Sequence, residues 1–171
     1  ILLNLVQNLY FMADRTVSHC CQLLLKKKLT IAFAESVTAG RLAAEFALVR
    51  DAGKFLKGSL VCYDAALKTR LLKVPKKMID QYTPESPQVT RAITLGLAGL
   101  IPATIHVGIT GLAAPGGSET AAKPVGALFV YATRSGKRLF SEHFQFSGTP
   151  EKIILQAIRA TAGLLSRSLE R

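Results

Sequence analysis

Short apolar runs that alternate with helically spaced apolar residues are the strongest constraint on what this chain can fold into. Residues 29–34, 58–63 and 104–110 are too short for core helices and read as buried strands. Between them the period changes. Val17, Cys21, Leu24 and Leu25 mark an opening helix that ends at Lys26-Lys27-Lys28, and Leu42, Phe46 and Val49 lay a stripe on a helix over 38–50. Asp64 can cap a short helix through Leu72, stopped by Pro75; the cluster from Lys73 to Lys77 reads as its solvated end. Ser86-Pro87 sets a capping serine before the first-turn proline of a helix carrying Val89, Ile93, Leu97 and Leu100 on one face. Downstream, strands over 125–133 and 138–146 flank Arg134-Ser135-Gly136-Lys137, a hairpin turn with Gly136 at positive φ. Thr149-Pro150-Glu151 opens a last helix with Ile154, Ala157, Ile158, Thr161, Leu164 and Leu165 on its apolar side. The expectation is an α/β fold: a three-layer α/β/α single domain whose mixed, mostly parallel sheet of about five strands ends in a hairpin. No internal repeat or domain linker interrupts it.

Composition narrows the function classes. The 171 residues suit one domain, and 49% hydrophobic with 19% charged residues is a globular composition rather than a disordered one. No apolar run approaches the roughly 18 to 20 residues of a membrane span, so no membrane partner is expected. Cys20, Cys21 and Cys62 are odd in number and show no metal-ligand spacing with His19, His106 or His143. Free buried thiols in a reducing, cytoplasmic setting and no bound metal are the expectation. Lys+Arg 22 against Asp+Glu 11 gives +11, a field that favours anionic partners. The basic runs are not interleaved with aromatics and there is no Trp, which argues against a nucleic-acid platform. Residues 1–11 lack the basic and cleavage regions of a signal peptide. Gln7-Asn8-Leu9-Tyr10-Phe11 before Met12 reads as the remains of a protease-site tag or as a native N-terminal extension, leaving 12–171 as the domain.

The chemistry concentrates at strand ends, where α/β sheets place their sites. Ala34-Glu35-Ser36-Val37-Thr38-Ala39-Gly40 joins an apolar strand to a helical pattern. Ser36, at that hinge, has its hydroxyl near a helix N-terminus, the setting for an anion site or for a nucleophile with an oxyanion hole. A plain N-cap is the alternative. Tyr63 ends the next strand, and Lys68 lies one turn into the following helix, able to face back toward it. A lysine held neutral by desolvation can take a proton from Ser36; a surface lysine and a half-buried tyrosine are the competing account. Thr110-Gly111-Leu112-Ala113-Ala114-Pro115-Gly116-Gly117, before Lys123-Pro124-Val125-Gly126, is a loop whose glycines allow close ligand approach and whose N–H groups can form a phosphate nest.

Taken together over about residues 15–168, these motifs resemble the nicotinamide-nucleotide amidohydrolase family, whose fold is also the C-terminal domain of the competence/damage-inducible protein CinA. The motifs are Ala-Glu-Ser-x-Thr-x-Gly at 34–40, Tyr-x4-Lys at 63–68, Thr-Gly-x-Ala at 110–113 and Lys-Pro-Val-Gly at 123–126. The resemblance implies hydrolysis of the carboxamide of nicotinamide mononucleotide to nicotinate mononucleotide and ammonia, without a cofactor, in a homo-oligomer. It implies Ser36 as nucleophile, Lys68 as general base and Tyr63 in support. Glu35, Thr38, Gly40, Thr110, Gly111, Ala113, Gly116 and Gly117 are the implied substrate-binding positions. The chain departs from the pattern at Ala65, at Ala114-Pro115 and at Ser147-Gly148-Thr149-Pro150, where an arginine is expected; the next typical arginine position is Ile154. Lys123 or Lys152 are the cations that can replace it. A non-catalytic or differently specific nucleotide- or anion-binding member of the same fold is the alternative.

Overall fold

The first strand is buried along its whole length, and its side chains go alternately to two apolar clusters, which shows how the layers form. A computed structural model of the chain describes residues 14–171; residues 1–13, with the proposed tag remnant, lie outside the described residues. In β1 (Ile31–Glu35), Ile31 and Phe33 point into one apolar cluster, and Ala32 and Ala34 into the other. The first cluster packs α1 (Arg15–Lys26), α2 (Arg41–Ala47) and α7 (Pro150–Glu170) against one sheet face, with Phe33 edge-on to Phe46 at 4.9 Å between ring centroids. The second packs α4 (Ala65–Leu72) and α6 (Pro87–Ala98) against the other. Burial pushes the Cys20 thiol up to about 12, so it packs as an apolar group rather than reacting. Among the described residues, no helix is long and apolar enough to cross a membrane.

The sheet order is β2-β1-β3-β4-β5, with β2 Leu56–Val61, β3 Ile105–Gly111, β4 Ala127–Arg134 and β5 Lys137–Gln145. β1 runs parallel to both β2 and β3, and the β4–β5 hairpin is antiparallel. β5 therefore points the same way as the parallel trio, and the expected mixed sheet with a closing hairpin is present. Ser135 and Gly136, φ 49° and 78°, make its two-residue turn. The chain leaves β1 over one face to reach β2 and returns over the opposite face to β3, so the crossovers diverge between β1 and β3. The crevice at their C-terminal ends is the topological switch point.

Three elements differ from the sequence expectation. The helix expected over 38–50 begins only at Arg41, because Ala39 and Gly40 both take left-handed φ, 49° and 94°. A further single turn, α3 (Ala52–Phe55), precedes β2. Lys73 ends α4 in a left-handed cap, but Lys76 and Lys77 open a separate helix, α5 (Lys76–Tyr82). The caps at Asp64, Ser86 and Thr149 form as their local sequences predict.

Candidate active site

The turn after β1 is built around a buried carboxylate. Glu35 is 0% exposed and accepts five hydrogen bonds: from Thr38 Oγ1 at 2.7 Å, Ser59 Oγ at 2.7 Å, and the Gly40, Leu42 and Ala43 N–H groups at 3.0 Å each. The N–H groups of Arg41 and Ala44 go to the Thr38 and Gly40 carbonyls. The free donors that a helix start ordinarily offers are thus consumed by the chain's own acid. Glu35, Thr38 and Gly40, expected to contact substrate, lie beneath the turn and off the cavity wall, where they hold it in shape. The expectation of an anion site at this helix N-terminus is corrected for the same reason.

What the turn presents is Ser36. Its N–H donates to the Ile109 carbonyl of β3 at 3.1 Å, which pins the residue across the switch point. Its hydroxyl accepts from Lys68 Nζ at 3.1 Å. Lys68 is 0% exposed and also donates to the Cys62 carbonyl at 2.8 Å and the Tyr63 carbonyl at 3.4 Å. It reaches this point from one turn inside α4, anchored by Asp64 Oδ1 accepting the Ala66 N–H at 2.6 Å. Desolvation holds the ammonium below its ordinary 10.5, against the opposing pull of Cys62, Glu85 and Asp64. This arrangement suits both protonation states. A neutral amine keeps two N–H donors for the two carbonyls and turns its lone pair to the Ser36 hydroxyl; an ammonium donates to all three. The surface-lysine account of Lys68 is excluded by its burial.

Ser36 opens onto a cavity of about 350 Å³ lined from five segments, one of which contributes Glu85 alone. Val37 and Ala39 come from the turn, Gly111 to Gly117 from the end of β3 and the loop after it, and Pro150 and Ile154 from the start of α7. Tyr63, expected to end its strand, lies two residues beyond β2, which stops at Val61. Gly111 and Ala113 are on the wall, as expected. Thr110 is buried behind it, its hydroxyl 2.7 Å from that of Thr90. Tyr63 is 69% exposed; its backbone carbonyl, rather than its phenol, meets Lys68. Gly116 and Gly117 line the cavity, but their N–H groups each donate to the Glu119 carboxylate at 2.8 Å.

A second polar cluster surrounds Glu85, which is its one member on the cavity wall. Lys123 Nζ donates to Thr83 Oγ1 at 2.5 Å, Ser118 Oγ at 2.6 Å and the Glu85 carbonyl at 3.0 Å. Its three N–H groups are thereby used, so Lys123 is a loop anchor and not a spare cation for a phosphate. The Ser118 hydroxyl donates to the Glu85 carboxylate, which lines the cavity. Sequence reasoning missed Glu85 and Glu119; both stand in polar loops without periodicity. Among the described residues no group of His, Cys, Asp and Glu is placed to hold a metal ion.

A doubly wound α/β domain with a buried serine–lysine pair at its switch point is the class that fold and site define. The chain belongs to the CinA family: residues 13–169 match the model of the CinA C-terminal domain. A CinA-like protein of Dictyoglomus thermophilum is 37% identical over 147 residues, 86% of this chain and 35% of that protein. One from Desulfotalea psychrophila is 32% identical over 149 residues, again 86% and 35%. The chain thus spans about a third of the length of these curated relatives. Crystal structures share the fold. A CinA superfamily protein from Klebsiella pneumoniae superposes with TM-score 0.86 at 24% identity, covering 91% of this chain and 96% of that one. One from Escherichia coli gives 0.83 at 23%, covering 95% and 92%.

Proposed function

We propose that this chain is a serine–lysine amidohydrolase acting on the carboxamide of a pyridine nucleotide, with nicotinamide mononucleotide the substrate that the sequence resemblance implies. The observation that carries the reading is the Lys68 Nζ to Ser36 Oγ contact of 3.1 Å, buried on the lysine side and open to a cavity on the serine side. Neutral Lys68 takes the Ser36 proton as Oγ attacks the amide carbon. The tetrahedral oxyanion collapses with cleavage of the C–N bond, and Lys68 returns the proton to the leaving nitrogen as ammonia forms. Water then attacks the resulting ester, gives its proton to Lys68, and releases the carboxylate and a restored Ser36 hydroxyl. Of the turn's residues, Val37 lines the cavity, and its N–H has no partner among the described residues. It is the donor we assign to the oxyanion, a contact worth roughly 3 kcal/mol. Tyr63, 69% exposed, lines the same cavity.

Ammonia release from nicotinamide mononucleotide, measured beside Ser36→Ala, tests the reading. Release by the parent that falls roughly a thousandfold or more in the variant is expected. Retained turnover in Ser36→Ala, or a folded parent inactive on pyridine carboxamides, contradicts it.

A further inference from the structure

The cavity in front of Ser36 is poorly made for a phosphate. Of its lining residues none is a lysine or arginine, and the one charged side chain is the Glu85 carboxylate. Two of the neighbouring cations are engaged elsewhere, and the third, Lys152, is not part of the cavity wall. Lys123 is held by three acceptors, and Arg41 lies 3.6 Å from Glu45 and 3.5 Å from Glu151. The start of α7 offers little: Pro150 has no N–H, Lys152 N–H is capped by Thr149 Oγ1 at 3.4 Å, and Glu151 adds a negative charge to the first turn. The paired donors that remain on the loop, Gly116 and Gly117 N–H, are both taken by Glu119. Those same bonds, that of Gly116 first among the lowering causes, hold the Glu119 carboxyl below its usual range and keep it anionic. An incoming phosphate dianion must either displace Glu119 from its N–H pair or settle beside two carboxylates on a wall that itself carries no cation. A positively charged pyridinium ring meets the opposite situation, because Glu85 on the wall attracts it.

We propose that Glu119 is a specificity-determining residue. By filling the loop's paired N–H groups, it makes this site favour a phosphate-free pyridinium carboxamide nucleoside over the corresponding 5′-phosphorylated nucleotide. The proposal rests on the amidohydrolase reading for its chemistry, though not for its binding preference. Nicotinamide mononucleotide is then a substrate, but the poorer one.

The test compares kcat/KM for nicotinamide riboside and nicotinamide mononucleotide in the parent and in Glu119→Ala. Binding of both compounds to Ser36→Ala, with and without Glu119→Ala, is measured in parallel. The parent is expected to prefer the riboside by about tenfold, and Glu119→Ala to move the ratio about tenfold toward the phosphorylated compound, chiefly through its KM. A parent that prefers the mononucleotide, or a ratio that Glu119→Ala leaves in place, overturns the proposal. If no variant releases ammonia from either compound, the hydrolase reading fails; the ratio of dissociation constants then decides the role of Glu119 by the same criteria.

Discussion

Lys68 is the residue on which the chemistry turns. A fully buried amine has to be relieved of its proton to act as a base, and desolvation pushes its pKa down from 10.5 in the direction that role requires. Two pH dependences follow. The free-enzyme rate, kcat/KM, should rise with pH and level off at an apparent pKa below 10.5, the limb reporting neutral Lys68. Lys68→Met should lower the rate by roughly 10²–10⁴-fold and abolish that limb, whereas a near-normal rate in Lys68→Met contradicts the assignment. Stability moves with the same sign. Between the depressed folded pKa and 10.5 the unfolded chain binds the Lys68 proton more tightly, so unfolding takes up a proton and stability rises with pH across that window. Urea midpoints of the parent, relative to Lys68→Met, should therefore climb through the window and stop climbing near 10.5.

The turn joining β1 to α2 depends on one side chain. Glu35 satisfies three helix-start N–H groups and two hydroxyls from a fully buried position, so replacing one of its acceptor oxygens by an amide sets donor against donor. Glu35→Gln should destabilise the domain by about 2–4 kcal/mol in denaturant unfolding, with loss of activity through displacement of Ser36. An unchanged midpoint contradicts that role. The same turn shows where the sequence was legible and where it was not. The Ser36 and Lys68 positions could be read because strand end and helix turn are local patterns. The caps at Asp64, Ser86 and Thr149 could be read because each is set by its own next few residues. The late start of α2 could not, since it needs Ser59 of β2 to complete the Glu35 cradle. α5 was invisible because it buries none of its residues, so it carries no apolar period. Tight packing between elements was equally silent. A Cβ on Gly108 would stand 2.1 Å from Thr94 Oγ1, so α6 lies directly on the backbone of β3.

On the scale of the molecule, the fold brings together segments that the sequence keeps apart. The loop after β3 is tied by Lys123 to Thr83, forty residues earlier, and by Ser118 to Glu85. Contacts of that separation leave no local signature, which is why Glu85 went unread. Glu119 bonds only two and three residues back, in a loop turn with no periodicity to mark it, while the strand-end position of Gly111 and Ala113 was legible. The net charge of +11 pointed toward anions, yet the cavity wall carries no cation; the excess positive charge is on surfaces other than the one that faces Ser36. The switch point between β1 and β3 unites these observations. It brings Ser36, the Lys68 amine and the loop after β3 to one crevice, in a chain of the CinA C-terminal family. The most direct test of the account is to quench the protein during turnover of a pyridine-nucleotide carboxamide and map the covalent adduct by mass spectrometry. The account predicts a pyridine-carboxylate ester on the peptide carrying Ser36, absent from Ser36→Ala. An adduct on another residue, or turnover persisting in Ser36→Ala without an adduct, would contradict it.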